Sequence, residues 1–203
     1  MLPTLRLLLA LCASALTCAS AAAQAFPART VSIVVPYGAG GATDVFARTY
    51  ATELAARLRQ TVIVENVPGA GGSVGVQRVM NSAPDGYTLV VATGIEYEML
   101  ELADPTAAKG RKTVLAPVAL IGTQPMVLVA RSGLRMQSVD DLVKAARAKP
   151  GGLSLASAGP GTSLHLAGEM IQKAAGIQLL NVPYKATPQI VNDLVEAAWT
   201  WRC

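Results

Sequence analysis

One histidine and three cysteines are all that 203 residues hold of the two best soft-metal ligands. That is too few for a zinc site of ordinary spacing or for a disulfide scaffold, so no metal centre is expected. Aromatic residues are scarce at 4%, and charged residues reach only 15%. With 52% hydrophobic residues, the chain has too much apolar surface and too little charge to stay disordered. The 18 glycines follow no three-residue period, which excludes a collagen-like chain. The pattern G-x-x-x-x-G-K-[ST] does not occur, so no nucleotide P-loop is present. The net charge of +4 is spread along the chain. Its one cluster, Lys109-Gly110-Arg111-Lys112, has no interleaved aromatics and reads as a solvated loop, so no nucleic-acid partner is expected.

Residues 1–25 contain a single charged side chain, Arg6. Leu7–Leu16 has the length of a signal-peptide core and is too short to span a bilayer. Small residues follow, and Ala23-Gln24-Ala25 fits an A-x-A cleavage pattern. We expect cleavage near Ala25, with Ala23 as the alternative, and export to the periplasm. Lipoprotein processing at Cys18 is a further alternative, although Leu16-Thr17 before it match that pattern poorly. After cleavage the one remaining cysteine is Cys203, which is compatible with an oxidising compartment.

From residue 26 onward, strand and helix patterns alternate. Val31–Val35 is a run of β-branched residues suited to a covered strand. Pro36 ends it, Gly38–Gly41 turn the chain, and a helix follows over 43–58, with Phe46, Tyr50, Leu54 and Leu58 as its expected buried stripe. Strands are expected at 61–65, 88–92, 118–121, 126–130, 153–157 and 179–182. Helices are expected from Ser73 as N-cap to about Asn81, from Ser138 to about Lys149, from Thr162 or Ser163 to Ala175, and over 188–198. Gly176 closes the third of these. Residues 94–114 have no clear pattern. Alternation of this kind argues for an α/β fold with parallel-type sheets covered on both faces.

Ligands of open parallel sheets lie beyond the carboxyl ends of the strands. Three corners rich in small residues sit there: Tyr37–Asp44, Thr93-Gly94 and Ala158–Ser163. Two run directly into helix starts, whose first N–H groups lack intrahelical acceptors and favour anions. The arrangement suits a carboxylate, although each corner taken alone could be a plain strand-to-helix turn. Enzyme readings fare worse. Gly38-Ala39-Gly40, with Glu65 as a ribose acceptor, resembles a dinucleotide fingerprint. Thr43 occupies the third glycine position and Pro36 intrudes. His165 lies near Ser157 and Ser163 without an identified acidic orienter, so a catalytic triad is unsupported. Glu96, Glu98 and Glu101 form an acidic run that is either a solvated loop or a partner for a positively charged part of a ligand.

A family resemblance runs through these segments. Phe26-Pro27-Ala28-Arg29-Thr30-Val31-Ser32-Ile33-Val34-Val35-Pro36-Tyr37-Gly38-Ala39-Gly40-Gly41-Ala42-Thr43-Asp44 resembles the opening of the tripartite tricarboxylate transporter substrate-binding proteins, the Bug family. Val64-Glu65-Asn66-Val67-Pro68-Gly69-Ala70-Gly71-Gly72, Ala83-Pro84-Asp85-Gly86-Tyr87-Thr88-Leu89 and Ala116–Ile121 follow in order. Ala156–Gly159, Gly161–Glu169 and Val182-Pro183-Tyr184-Lys185 complete the series. The resemblance implies a periplasmic-binding-protein-like fold, with two α/β domains hinged around a cleft. The expected organisation is a signal peptide at 1–25, a first lobe at 26–122 and a second lobe at 123–203.

The function it implies is that of a non-enzymatic, monomeric receptor. Such a receptor closes on a small organic acid or amino-acid-like ligand and delivers it to a membrane permease complex. No cofactor is implied. Carried over, Gly40, Gly41, Ala42 and Thr43 offer backbone amides, and Tyr37 walls the pocket. Thr93 and Ala158 line it, Ser157, Thr162 and Ser163 bind carboxylate oxygens, and His165 shapes the second side. Asp44 braces its helix start or receives an ammonium group. Three departures stand out. Residues 94–113 do not follow the family pattern, and Ala186 stands where a glycine is usual. The tail from Glu196 to Cys203 also departs, so the second lobe and its return crossing are expected to be incomplete. A non-binding fragment and, more remotely, a nicotinamide-dependent oxidoreductase are the rival readings.

Overall fold

The computed structural model describes residues 26–98 and 115–196. The leader, residues 99–114 and the tail after Glu196 lie outside the described residues. Expectations for the cleavage site, Cys18, the Lys109–Lys112 cluster and the tail after Glu196 therefore have no structural counterpart below.

Strand β1 (Val31–Val35) is the centre of the first sheet. Val31, Ile33, Val34 and Val35 are each almost wholly buried. Each such side chain contributes about 1.5–3 kcal/mol of apolar burial. β1 pairs in parallel with β2 (Val62–Asn66) on one side and β3 (Thr88–Val90) on the other, in the order β2-β1-β3. Parallel neighbours need crossovers, and helices α1 (Ala42–Leu58) and α2 (Ser73–Met80) supply them. The core cluster joins Ile33 and Val35 of β1 to Ala47 and Ala51 of α1, with Leu54, Val62, Val64 and Leu89 around it.

The buried stripe of α1 differs in part from the expected one: Leu54 packs against the core, but the two aromatics do not lead the contact. Asp44, Ala47 and Ala51 face the sheet, while Phe46 and Tyr50 are 39% and 40% exposed. Small side chains let the helix approach the sheet closely, so alanine rather than the aromatics occupies the contact. The aromatic face meets a later segment instead: the Tyr50 hydroxyl donates to the Ile121 carbonyl at 3.1 Å.

The second unit follows the expected order. Helix α3 (Val139–Ala148) leads to β4 (Ser154–Ser157), α4 (Ser163–Ala175), β5 (Leu180–Pro183) and α5 (Thr187–Glu196). β4 and β5 pair in parallel, with Ser157 opposite Pro183. Ser138 caps α3 in a reciprocal box with Asp141. Thr162 caps α4, and Gly176 ends it in the left-handed conformation. Removing the Thr162 cap (Thr162→Ala) is expected to cost about 1 kcal/mol, read as a lower urea midpoint.

Two expectations fail here. Residues 118–121 and 126–130 form no strand, and Val118, Leu120 and Val127 are 84%, 83% and 76% exposed. An apolar run makes a strand only against a neighbour, and no described strand pairs with either segment. Ser73 is not the N-cap of α2. Gly72 holds that position at φ +98°, and the Ser73 hydroxyl donates instead to the Ala70 carbonyl at 2.9 Å. Among the described residues no helix is long and apolar enough to cross a membrane.

Candidate functional site

After β1 the chain turns at Pro36–Gly41 and enters α1. Gly41 is the N-cap and brings no side chain, so the first amides of α1, at Ala42 and Thr43, find no capping acceptor there. What fixes this corner is Asp44, only 3% exposed. Its Oδ2 accepts from the Gly40 amide at 2.9 Å and from Arg48 Nε at 3.0 Å, and its Oδ1 accepts from Asn66 Nδ2 at 2.9 Å. Asn66 Nδ2 also reaches the Tyr37 carbonyl at 3.1 Å, and Arg48 closes the ring on Asn66 Oδ1 at 3.0 Å. Burial alone would raise the Asp44 pKa. The donors from Arg48, Gly40 and Asn66 outweigh it and hold the carboxyl below the usual aspartate value. Asp44 is thus the brace of the corner, and the Gly40 amide is engaged inside the protein.

The second corner is braced in the same manner. Ser157, at the end of β4, is fully buried. Its hydroxyl donates to Asn181 Oδ1 at 2.8 Å and accepts from the Gly159 amide at 3.3 Å. Asn181 Nδ2 lies 2.8 Å from His165 Nδ1, which makes Nδ1 the acceptor and leaves the ring proton on Nε2. The Thr162 hydroxyl donates to the Gly159 carbonyl at 2.7 Å and accepts from the His165 amide at 3.3 Å. The Ser157 and Thr162 hydroxyls therefore shape the loop that contains Ala158. By contrast, Thr43 and Ser163 are half-buried, and among the described residues no hydrogen bond engages either hydroxyl.

The two units meet at these corners. A Cβ on Gly38 would lie 2.8 Å from Ala186 Cβ, and one on Gly40 would lie 3.0 Å from Pro188 Cγ. One on Gly71, at φ +66°, would lie 2.5 Å from the Pro160 carbonyl oxygen. The structure thus brings the Gly38–Gly41 corner against the start of α5, and the turn at 70–72 against the loop after β4. Residues 186–188 and 70–72 were not among the expected site residues, because nothing local marks them as reaching the other unit. Asn66 and Asn181 were missed for the same reason.

The third corner holds Thr93 and Glu96. Glu96 is completely buried. Its Oε1 accepts from the Thr93 hydroxyl at 2.7 Å, and its Oε2 has no hydrogen-bond partner among the described residues. The Tyr37 hydroxyl stands 3.4 Å from Thr93 Oγ1. Burial pushes the Glu96 carboxyl above the usual glutamate value, and the backbone amides of Glu96, Gly94 and Thr93 offset this only in part.

The comparisons agree with this architecture. A family described as the tripartite tricarboxylate transporter family receptor matches residues 46–198. The chain belongs to that family. It is 39% identical over 194 residues to the UPF0065 protein in the tcbD-tcbE intergenic region of Pseudomonas sp. strain P51, covering 94% of this chain and 57% of the relative. It is 35% identical over 178 residues to protein BugT of Bordetella pertussis, covering 87% and 55%. Among solved structures, MatC of Rhodopseudomonas palustris with bound malate superposes with TM-score 0.69 at 29% identity, over 84% of this chain and 58% of that one. A second R. palustris protein, solved with adipate, gives TM-score 0.63 at 28% identity, over 84% and 57%. The chain therefore spans a little over half the length of the relatives it matches. The family's periplasmic-binding-protein fold, with α/β units and parallel sheets, is the fold found here, and its members are receptors.

Proposed function

We propose that the chain forms the binding corners of an extracytoplasmic solute receptor for a small carboxylate-bearing metabolite. In this reading residues 1–25 direct export and are removed near Ala25. Residues 26–122 and 123–203 form the two lobes, and the loaded monomer presents its guest to a membrane permease. The observation that supports it best is convergence: the uncapped start of α1 lies against the start of α5, and the loop before α4 lies against the turn at 70–72. Helix starts grouped in this way favour a negatively charged guest. The malate and adipate held by two structural neighbours are guests of that class.

Within the corner, Gly41, Ala42 and Thr43 offer amides, Thr43 and Ser163 offer hydroxyls, and Tyr37 and Thr93 form a wall. Asp44, Ser157, Thr162 and His165 hold these groups in place, with Gly40 and Ala158 in the turns they brace. No covalent step is required. Isothermal titration with succinate, malate and adipate tests this. Thr43→Ala and Ser163→Ala are each expected to weaken binding about tenfold, the worth of one hydrogen bond to a charged group. Unchanged affinity in both variants would remove the site from these corners.

A further inference from the structure

We infer that Glu96 is a positioning residue for the proposed site. Acting through Thr93, it sets whether the Tyr37 hydroxyl donates or accepts a hydrogen bond toward the guest. The inference rests on the reading above for the guest, and on geometry for the relay.

Glu96 Oε1 ties down the Thr93 hydroxyl and the amides of Thr93, Gly94 and Glu96 favour its charge, yet its Oε2 has no hydrogen-bond partner among the described residues. A buried carboxyl with one oxygen unpartnered costs stability, and natural cores seldom keep one. Here the surroundings make room for it. Gly72 is the residue beside it, and a Cβ there would lie 2.5 Å from Glu96 Cγ and 3.5 Å from Pro36 Cβ. Gly72 also sits at φ +98°, where a side chain is disfavoured, so the turn before α2 is shaped to leave that space. The groups facing the carboxyl are Gly72 and Pro36 from neighbouring segments and Thr93 and Gly94 from its own. Tyr37 is the titratable group reached through Thr93, and Tyr97 and Glu98 follow on the same segment. No charged side chain contributes to the displacement of the Glu96 pKa.

The three groups form a chain: Glu96 Oε1, Thr93 Oγ1 at 2.7 Å, then the Tyr37 hydroxyl at the longer distance of 3.4 Å. Each hydroxyl has one proton to give. When Glu96 is ionised it must be an acceptor. Thr93 then donates to Glu96, Tyr37 donates to Thr93, and the Tyr37 oxygen turns lone pairs to the corner, where an ammonium or hydroxyl proton is welcome. When Glu96 carries its proton, it donates to Thr93 and Thr93 donates to Tyr37. The Tyr37 proton is then free for a carboxylate. One proton on a buried group reverses two hydrogen bonds and the polarity of the wall.

The test follows the Tyr37 resonance by NMR across pH, with tyrosine carrying a labelled Cζ and the signal assigned by Tyr37→Phe. In the parent chain the signal is expected to titrate with a midpoint above the ordinary glutamate value. In Thr93→Val, which keeps Glu96 but cuts the relay, and in Glu96→Gln, it is expected to be flat. A Tyr37 signal flat in the parent chain, or one that still titrates in Thr93→Val, overturns the relay. In parallel, succinate titrations compare the parent chain with Thr93→Val, where the probe's own ionisation cancels in the ratio. The parent's advantage is expected to fall about fivefold as pH rises through the midpoint; a constant ratio overturns the role toward the guest. If succinate, malate and adipate all fail to bind at every pH, it is the receptor reading that fails, and the Tyr37 signal still decides the relay.

Discussion

Replacing Asp44 with alanine is expected to lower the unfolding free energy by about 3 kcal/mol. Asp44 is 3% exposed, and its side chain accepts three hydrogen bonds, from Gly40, Arg48 and Asn66. Hydrogen bonds to a charged group are worth about 1.5–3 kcal/mol each. The Arg48 share must be discounted, since that side chain is 53% exposed and water takes over its donors. The Gly40 amide is fixed by the backbone turn, and Asn66 Nδ2 is held by its second bond to the Tyr37 carbonyl, so water replaces Asp44 less readily for these two. The loss should appear as a fall in melting temperature of roughly 6–12 °C.

The effect should depend on pH with a definite sign. The folded-state pKa of Asp44 lies below its ordinary value. Its stabilisation is therefore complete above that ordinary value and disappears as pH falls through the folded-state pKa. The gap between parent and Asp44→Ala should be widest near neutrality and close in strong acid. Equal melting temperatures at neutral pH would mean that the brace does not hold the corner.

Most of the local structure was legible because its causes are local. Ser138 and Thr162 cap helices through bonds to residues three positions on, and Gly176 ends one by adopting a conformation that other residues resist. Such causes are written within four residues of each other. The parallel alternation was legible for a related reason: β-branched runs and glycine corners recur in order. What the sequence hid are relations across the fold. Asn66 reaches Asp44 from 22 positions away and Asn181 reaches His165 from 16, and neither spacing has a pattern to read. The α1 stripe was misread because hydrophobic size was taken as a sign of burial. Close helix-to-sheet contact selects small residues, and Ala47 and Ala51 fill it while Phe46 faces outward. Segments 118–121 and 126–130 were misread because strand propensity speaks of side chains and not of neighbours. At the candidate site, the corners were visible and the division of labour within them was not. Whether a hydroxyl meets a guest or its own loop depends on what folds back onto it, as Ser157 and Ser163 illustrate.

Gly75→Ala tests how tightly the first corner is built. Gly75 is buried in the first turns of α2, where the helix crosses the end of β1. A Cβ there would lie 2.8 Å from Pro36 Cα, 2.8 Å from Pro36 Cβ and 2.8 Å from the Val67 carbonyl oxygen. None of these is the far end of a flexible side chain. Two belong to backbone, and the third belongs to a ring that fixes its own dihedral. Pro36 is itself fully buried, so it cannot retreat without disturbing β1. Alanine would gain about 1 kcal/mol of helix propensity over glycine. Overpacking of a rigid contact costs about 1–3 kcal/mol and sometimes more. With three immovable neighbours the upper end applies, so the net expectation is a loss of about 2 kcal/mol. Gly133→Ala is the matched control, because nothing lies within 4 Å of a Cβ there. It should change stability by less than about 0.5 kcal/mol. A urea melt that places Gly75→Ala beside Gly133→Ala would mean that α2 has freedom to move away from Pro36. In that event the turn at 70–72, and with it the space kept for Glu96, would not be fixed by packing at all. A clear separation of the two midpoints would instead tie the buried carboxyl, the turn before α2 and the glycine corner after β1 into one rigid piece.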